Sequence, residues 1–224
     1  MSKVLIVGGT SGLGLEMARI LEQSGETVVV AGRTHRKPVG TFHRVDFGSK
    51  TERLEDQLDT LLEVTQVQKG IDLLIYAAGV PEYGLIDELS DEHLREQTTV
   101  GALVPLMLMR RILRKHKKLP GLILIGSSSQ RTPRLRESAY CTVKSGAAKL
   151  AECLALDERI SRVLVAAPSG MDTTFLPRVG RGQPNLLDPT WVAQTILSEW
   201  NTKLHYQEIF ILRDPPRIER TKNP

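Results

Sequence analysis

The run Gly8-Gly9-Thr10-Ser11-Gly12-Leu13-Gly14 constrains this chain more than any other feature. An apolar stretch, Val4 to Val7, precedes it, and residues 12–24 that follow read as a helix. Four consecutive apolar residues suit a parallel strand buried on both faces. Glycines between such a strand and a helix let the backbone turn tightly and come close to an anion with no Cβ in the way. The helix start then offers free N–H groups and the positive end of its dipole. A glycine cluster alone could be only a tight turn, but this one sits in the strand–turn–helix setting that a phosphate site requires.

The rest of the chain repeats that unit. Strands are expected at Thr27 to Ala31, Phe42 to Val45, Ile71 to Tyr76, Leu122 to Ile125, Arg162 to Ala166 and 207–212. Helices are expected over 50–67, 91–117, 138–157 and 189–201, with Pro105 kinking or bending the second of these. Alternating strands and helices imply an α/β fold: a single Rossmann-type domain over residues 1–212, with a doubly wound parallel sheet of about seven strands. Residues 32–41 are too few for a crossover helix, so a loop is expected there. A surface loop is expected over 177–188, and the basic tail 213–224 is expected to fray.

Composition narrows the partners. The chain has 224 residues, 41% hydrophobic and 25% charged, which suits one globular domain with a real core. Its net charge of +4 is modest, and aromatics are only 4%, so few platforms exist on which nucleic-acid bases could stack. No nucleic-acid partner is expected. The first residues are apolar only briefly, which fits neither a signal peptide nor a membrane span. Cys141 and Cys153 fall twelve residues apart on one predicted helix, about 18 Å, too far to bridge. A reducing, cytoplasmic setting is the default. The histidines show no ligand spacing, so no metal site is expected.

The end of the second strand bears on the nucleotide. An acidic residue there would bind a ribose 2′-hydroxyl and repel a 2′-phosphate. The sequence reads Ala31-Gly32-Arg33-Thr34-His35-Arg36-Lys37, with no carboxylate and with Arg33 placed to grip a phosphate. NADP(H) is expected over NAD(H), against the plainer reading of a solvated basic loop.

Tyr140 and Lys144, four residues apart on the 138–157 helix, share a face with about 5–6 Å between Cβ atoms. An ammonium that close should lower the phenol's pKa and prepare it as a general acid/base. Ser127 follows the Leu122 to Ile125 strand, at the strand end where open α/β sheets place their sites.

With these residues in view, the chain resembles the short-chain dehydrogenase/reductase family over nearly its whole length. Gly8, Gly12 and Gly14 match the family's Gly-x-x-x-Gly-x-Gly motif, and Tyr140 with Lys144 its Tyr-x-x-x-Lys motif. Ser127 matches its serine, thirteen residues before the tyrosine, and Ala78-Gly79 match the end of Asn-Asn-Ala-Gly. Pro168, Ser169, Gly170 and Thr173 resemble its Pro-Gly…Thr segment. The resemblance implies a hydride-transferring oxidoreductase, a carbonyl reductase or alcohol dehydrogenase. Ser127, Tyr140 and Lys144 would be its catalytic residues. It implies a cofactor site formed by Gly8, Thr10, Ser11, Gly12, Leu13, Gly14, Arg33, Asp46, Phe47, Ala77, Ala78, Gly79, Tyr140, Lys144, Pro168, Gly170, Met171 and Thr173. A homodimer or homotetramer is implied in the same way.

The sequence also departs from the family. Its relay asparagine is missing, and Thr98, Thr99 or Gly101 occupies that stretch. Tyr76-Ala77 stand where the family has Asn-Asn, and Ser169 stands for a glycine. A non-catalytic NADP(H)-binding sensor is therefore the alternative to a small-molecule reductase. Pro81, Tyr83, Leu85, Gln130, Met171 and Phe175 are candidate walls for a partly apolar carbonyl substrate. Arg131, Arg134 and Arg136 could line an entrance for an anionic one, or form only a solvated loop.

Overall fold

In the computed structural model, residues 1–34, 38–48, 53–64, 66–175 and 185–221 are described. His35, Arg36 and Lys37 lie outside that set, as does most of the loop expected over 177–188.

The first strand–helix unit is β1 (Lys3–Val7), α1 (Gly12–Gln23) and β2 (Thr27–Gly32). β3 (Thr41–Arg44), α2 (Leu54–Leu62) and β4 (Leu73–Tyr76) follow. The second half runs α3 (Asp91–Thr98), α4 (Val104–His116), β5 (Leu122–Ile125), α5 (Ser138–Leu154) and β6 (Val163–Pro168). The chain closes with α6 (Pro189–Trp200), β7 (Tyr206–Arg213) and β8 (Pro216–Thr221). The strands form one sheet in the order β3-β2-β1-β4-β5-β6-β7-β8, parallel up to β7. The strand order reverses between β1 and β4, and the chain ends of those two strands open a crevice there.

Alternation along the strands divides the core between the two faces of the sheet. Val4 and Ile6 of β1 pack with Met17 of α1 and Ile196 of α6. Leu5 and Val7 face the other way, among Leu58 of α2, Ile112 of α4 and Ala151 of α5. Each side chain that leaves water for these layers stabilises the fold by about 1.5–3 kcal/mol. No described helix is long and apolar enough to cross a membrane.

Two expectations are corrected. As far as Thr221 the tail does not fray, because Pro216–Thr221 pairs antiparallel with β7 and makes an eighth strand. Glu199 of α6, almost fully buried, holds that strand in place. Its carboxylate accepts hydrogen bonds from Arg220 (3.0 and 2.5 Å) and from the Gln207 amide (2.7 Å). The polar composition of 213–224 suggested exposure, but one buried carboxylate on another element supplies the partner.

The long helix of 91–117 is also interrupted. A π-helical turn, Thr99–Leu103, separates α3 from α4, which begins next to Pro105. Proline has no N–H for the carbonyl four residues back, and its ring would clash with that carbonyl in an unbroken α-helix. Widening the preceding turn removes the clash. The same turn lets α5 approach closely: a Cβ on Gly101 would overlap the Val143 Cγ1 of α5. Gly101→Ala should therefore lower stability in denaturant unfolding by about 1–3 kcal/mol. Adding Val143→Ala should recover most of the loss. Unchanged stability in the single variant would show that the two elements are not so close.

Candidate active site

The cleft of about 440 Å3 at the carboxyl end of the sheet runs from the β1–α1 turn to the α5 tyrosine. Every site residue expected from the sequence lines it. Of the expected substrate walls, Pro81, Tyr83, Met171 and Phe175 line it, whereas Leu85 and Gln130 do not.

At its nucleotide end the glycines are required by space. A Cβ on Gly8 (φ 87°) would lie 2.6 Å from the Ala78 amide nitrogen, so β1 and the segment after β4 can meet only through glycine. A Cβ on Gly14 would run into the Gly8 carbonyl. Ser11 caps α1 in extended backbone with no side-chain cap bond, which leaves the first-turn N–H groups facing the cleft without helical partners. That cradle fits a pyrophosphate. Asp46 is held by its own backbone: its N–H donates to the Gln57 side chain (2.6 Å), whose amide returns a bond to the Asp46 carbonyl (3.0 Å). The exposed Arg33 side chain lies 3.9 Å from Glu96 of α3, across the same end. Sequence reading missed Glu96, because nothing in its spacing tells that α3 leans over this end of the cleft.

At the other end, Ser127 leaves β5 in extended backbone and caps a short 3-10 turn, Ser128–Gln130. The Gln130 side chain accepts from the Ser127 N–H (3.1 Å) and donates to Glu208 of β7 (2.6 Å), so the C-terminal hairpin braces the serine loop. Arg131 is drawn away to Glu219 (2.7 Å) and the face of Phe210, and Arg136 to Glu88 (2.7 Å). Only Arg134 of that basic run reaches the cleft. It donates to Ser128 (2.9 Å) and Ser129 (2.5 Å) beside the Glu137 carboxylate.

Tyr140 and Lys144 are both buried on one face of α5. The expectation that Lys144 lowers the tyrosine pKa is not met. Its Nζ donates to the Ile125 carbonyl (3.0 Å) and sits over the Tyr140 ring, 5.7 Å from its centroid. Burial pushes Tyr140 up to about 12, side-chain hydrogen bonding with Ser127 and Tyr83 opposes that rise, and the Glu137 charge adds to it. Burial also draws Lys144 down to about 8. Glu137 precedes Tyr140 by three residues, a spacing that could have flagged it.

The stretch that lacks the family's asparagine is the π turn. Thr98 is exposed, and neither Thr98, Thr99 nor Gly101 lines the cleft; Val100 does. The buried Tyr76 hydroxyl, from the position where the family has asparagine, donates to the Val100 carbonyl.

Comparison with known proteins agrees with this geometry. The chain is 26% identical over 171 residues to the vibriobactin-specific 2,3-dihydro-2,3-dihydroxybenzoate dehydrogenase of Vibrio cholerae, a match covering 70% of this chain and 64% of that one. It is 24% identical over 184 residues to human dehydrogenase/reductase SDR family member 4, covering 76% and 66%. The chain thus spans about two thirds of these relatives' length. Among solved structures, an alcohol dehydrogenase from the archaeon Thermococcus sibiricus, complexed with 5-hydroxy-NADP, superposes with a TM-score of 0.78 at 21% identity over 96% of this chain and 97% of that one. A short chain dehydrogenase/reductase family protein gives 0.80 at 19% identity over 94% and 95%. The family model described as short chain dehydrogenase matches residues 2–183, and the chain belongs to that family of nicotinamide-dependent oxidoreductases.

Proposed function

We propose that this protein is an NADP(H)-dependent carbonyl reductase or alcohol dehydrogenase acting on a small, partly apolar substrate. The observation that carries the reading is that Ser127, Tyr140 and Lys144 line the same cleft as the glycine turn. When bound, the nicotinamide supplies or takes the hydride. In the reducing direction Tyr140 donates its proton to the substrate oxygen, and in the oxidising direction the Tyr140 oxygen takes that proton. Ser127 holds the same oxygen and stabilises the charge that gathers on it. Lys144 would hold the cofactor's ribose from beneath the tyrosine. Tyr83, Phe175 and Met171 exclude water from the reacting atoms.

Arg33 favours NADP(H), since it reaches the adenosine end and no carboxylate ends β2. The T. sibiricus neighbour's bound NADP analogue is consistent with that choice. A homodimer or homotetramer is also part of this reading. Leu103 and Leu106, at the end of the π turn and on α4, are 44% and 50% exposed and would be covered in it. Sedimentation should then show more than one copy, and a monomer at micromolar concentration would rule that assembly out.

Arg33→Ala should weaken NADPH binding by roughly tenfold or more, the worth of one charge-assisted phosphate contact, and leave NADH binding nearly unchanged. Equal losses for both cofactors in calorimetry would remove the 2′-phosphate assignment. Tyr140→Phe should abolish NADPH oxidation against ketones, aldehydes and quinones while NADPH still binds. Retained turnover would reject Tyr140 as the proton donor, and binding without turnover in both proteins would favour a sensor.

A further inference from the structure

The three arginines between the serine loop and α5 part company in the fold. Arg131 and Arg136 are tied to Glu219 and Glu88 and do not line the cleft. Arg134 does. Two buried hydroxyls fix its guanidinium: Nη1 donates to Ser129 Oγ (2.5 Å) and Nη2 to Ser128 Oγ (2.9 Å). Both partners are neutral, so they orient the cation without cancelling its charge. A guanidinium carries five N–H donors, and these bonds use two of them. The side chain is 37% exposed, which leaves the other donors open to a ligand in the cleft.

This cation stands close to the reacting end. Ser127 Oγ donates to Ser129 Oγ (3.2 Å), the same oxygen that accepts from Arg134. Those two bonds in series keep the guanidinium within about 6 Å of the Ser127 oxygen. Ser129 Oγ passes its own proton to the Glu137 carboxylate (2.6 Å). That carboxylate stops 3.7 Å from Arg134, outside hydrogen-bond distance. It therefore offsets part of the Arg134 charge and occupies none of its donors.

The rest of the cleft suits an anion with an apolar body. Arg33, Asp46 and Glu96 stand at the nucleotide end, and the other charged residues lining the cleft are Arg134, Glu137, Lys144 and Arg213, three cations and one carboxylate. Pro81, Tyr83, Met171 and Phe175 add apolar surface. Charges act on each other more strongly where such walls displace water. The planar fork of a guanidinium matches the two oxygens of a carboxylate.

We infer that Arg134 selects the substrate: it anchors the carboxylate of a compound whose reacting carbonyl lies on Ser127, as in a 2-oxo acid with an apolar remainder. This deepens the carbonyl-reductase reading and rests on it. In reduction the C=O becomes CH–OH and the carboxylate is unchanged, so Arg134 acts in binding and not in proton transfer. Glu137 tempers the anchor by repelling the incoming anion.

The test compares 2-oxo-4-phenylbutanoate with its primary amide, which keeps the carbonyl and nearly the same shape but has no charge. Binding is measured by calorimetry with saturating NADP+, which has no hydride to give. The wild type should bind the acid roughly tenfold or more tightly than the amide. Arg134→Met should erase that preference, and Arg134→Lys should restore part of it. Glu137→Gln should raise it by about threefold or more, since a like charge leaves the anchor. Loosening of the serine loop would weaken both ligands and leave their ratio in place. Equal binding of acid and amide in the wild type, binding of neither, or a preference that survives in Arg134→Met would overturn the proposal. NADPH oxidation by the amide and not by the acid would also overturn it, while keeping the reductase reading. Arg134-dependent binding of the acid with no NADPH oxidation by either compound would keep the anchor and count against the reductase reading.

Discussion

The cleft exists because two strand ends come closer together than side chains allow. β1 and β4 are neighbours in the sheet, and the chain leaves both at the same edge. The Gly8 backbone passes so near Ala78 that a Cβ would lie 2.6 Å from its amide nitrogen. That contact brings the α1 N-terminus over the switch point of the strand order, where the free N–H groups of the first turn face an open crevice. A larger residue at position 8 would push the turn away from the Ala77–Gly79 segment, and the anion cradle and the nicotinamide end would no longer share one surface.

Beyond that turn, elements remote in sequence position the acid/base end. The serine loop is braced by Gln130 against Glu208 of β7 and by Arg131 against Glu219 of β8. β8 in turn is fastened by Arg220 to the buried Glu199 of α6. The last residues of the described chain thus support a loop some ninety positions earlier. A buried carboxylate with three donors is costly to leave unpaired, which favours the one arrangement in which all its partners are in place.

The π turn shows how one departure from the family pattern is absorbed. Pro105 denies the helix a hydrogen bond, and the close approach of Val143 leaves no room for a side chain at Gly101. An asparagine at 101 would have no space. Tyr76, standing for an asparagine of the β4 motif, reaches the Val100 carbonyl and satisfies a buried acceptor that a widened turn exposes. The two altered positions are thus linked through one hydrogen bond.

Much of this was legible in the sequence, and the rest had definite reasons not to be. The element order, the two-sided core, the glycine turn and the Ser127–Tyr140–Lys144 spacing follow from local rules: side-chain period, backbone freedom at glycine, and the reach of i,i+4 neighbours. Those rules could not place Glu96 beside Arg33, bring Tyr83 onto Tyr140, fold the basic tail into β8 or send Lys144 to the Ile125 carbonyl. Each of these depends on which distant segments become neighbours and on how much water remains between them. Spacing put the ammonium near the phenol, but burial and a nearby carbonyl decided that tyrosine keeps its proton and that lysine donates to the Ile125 carbonyl. The sequence by itself determined which chemical groups stand at the edge of the sheet. The tertiary structure decided which of them touch, because hydrogen bonds and desolvation act over a few ångströms between residues that the chain order keeps far apart.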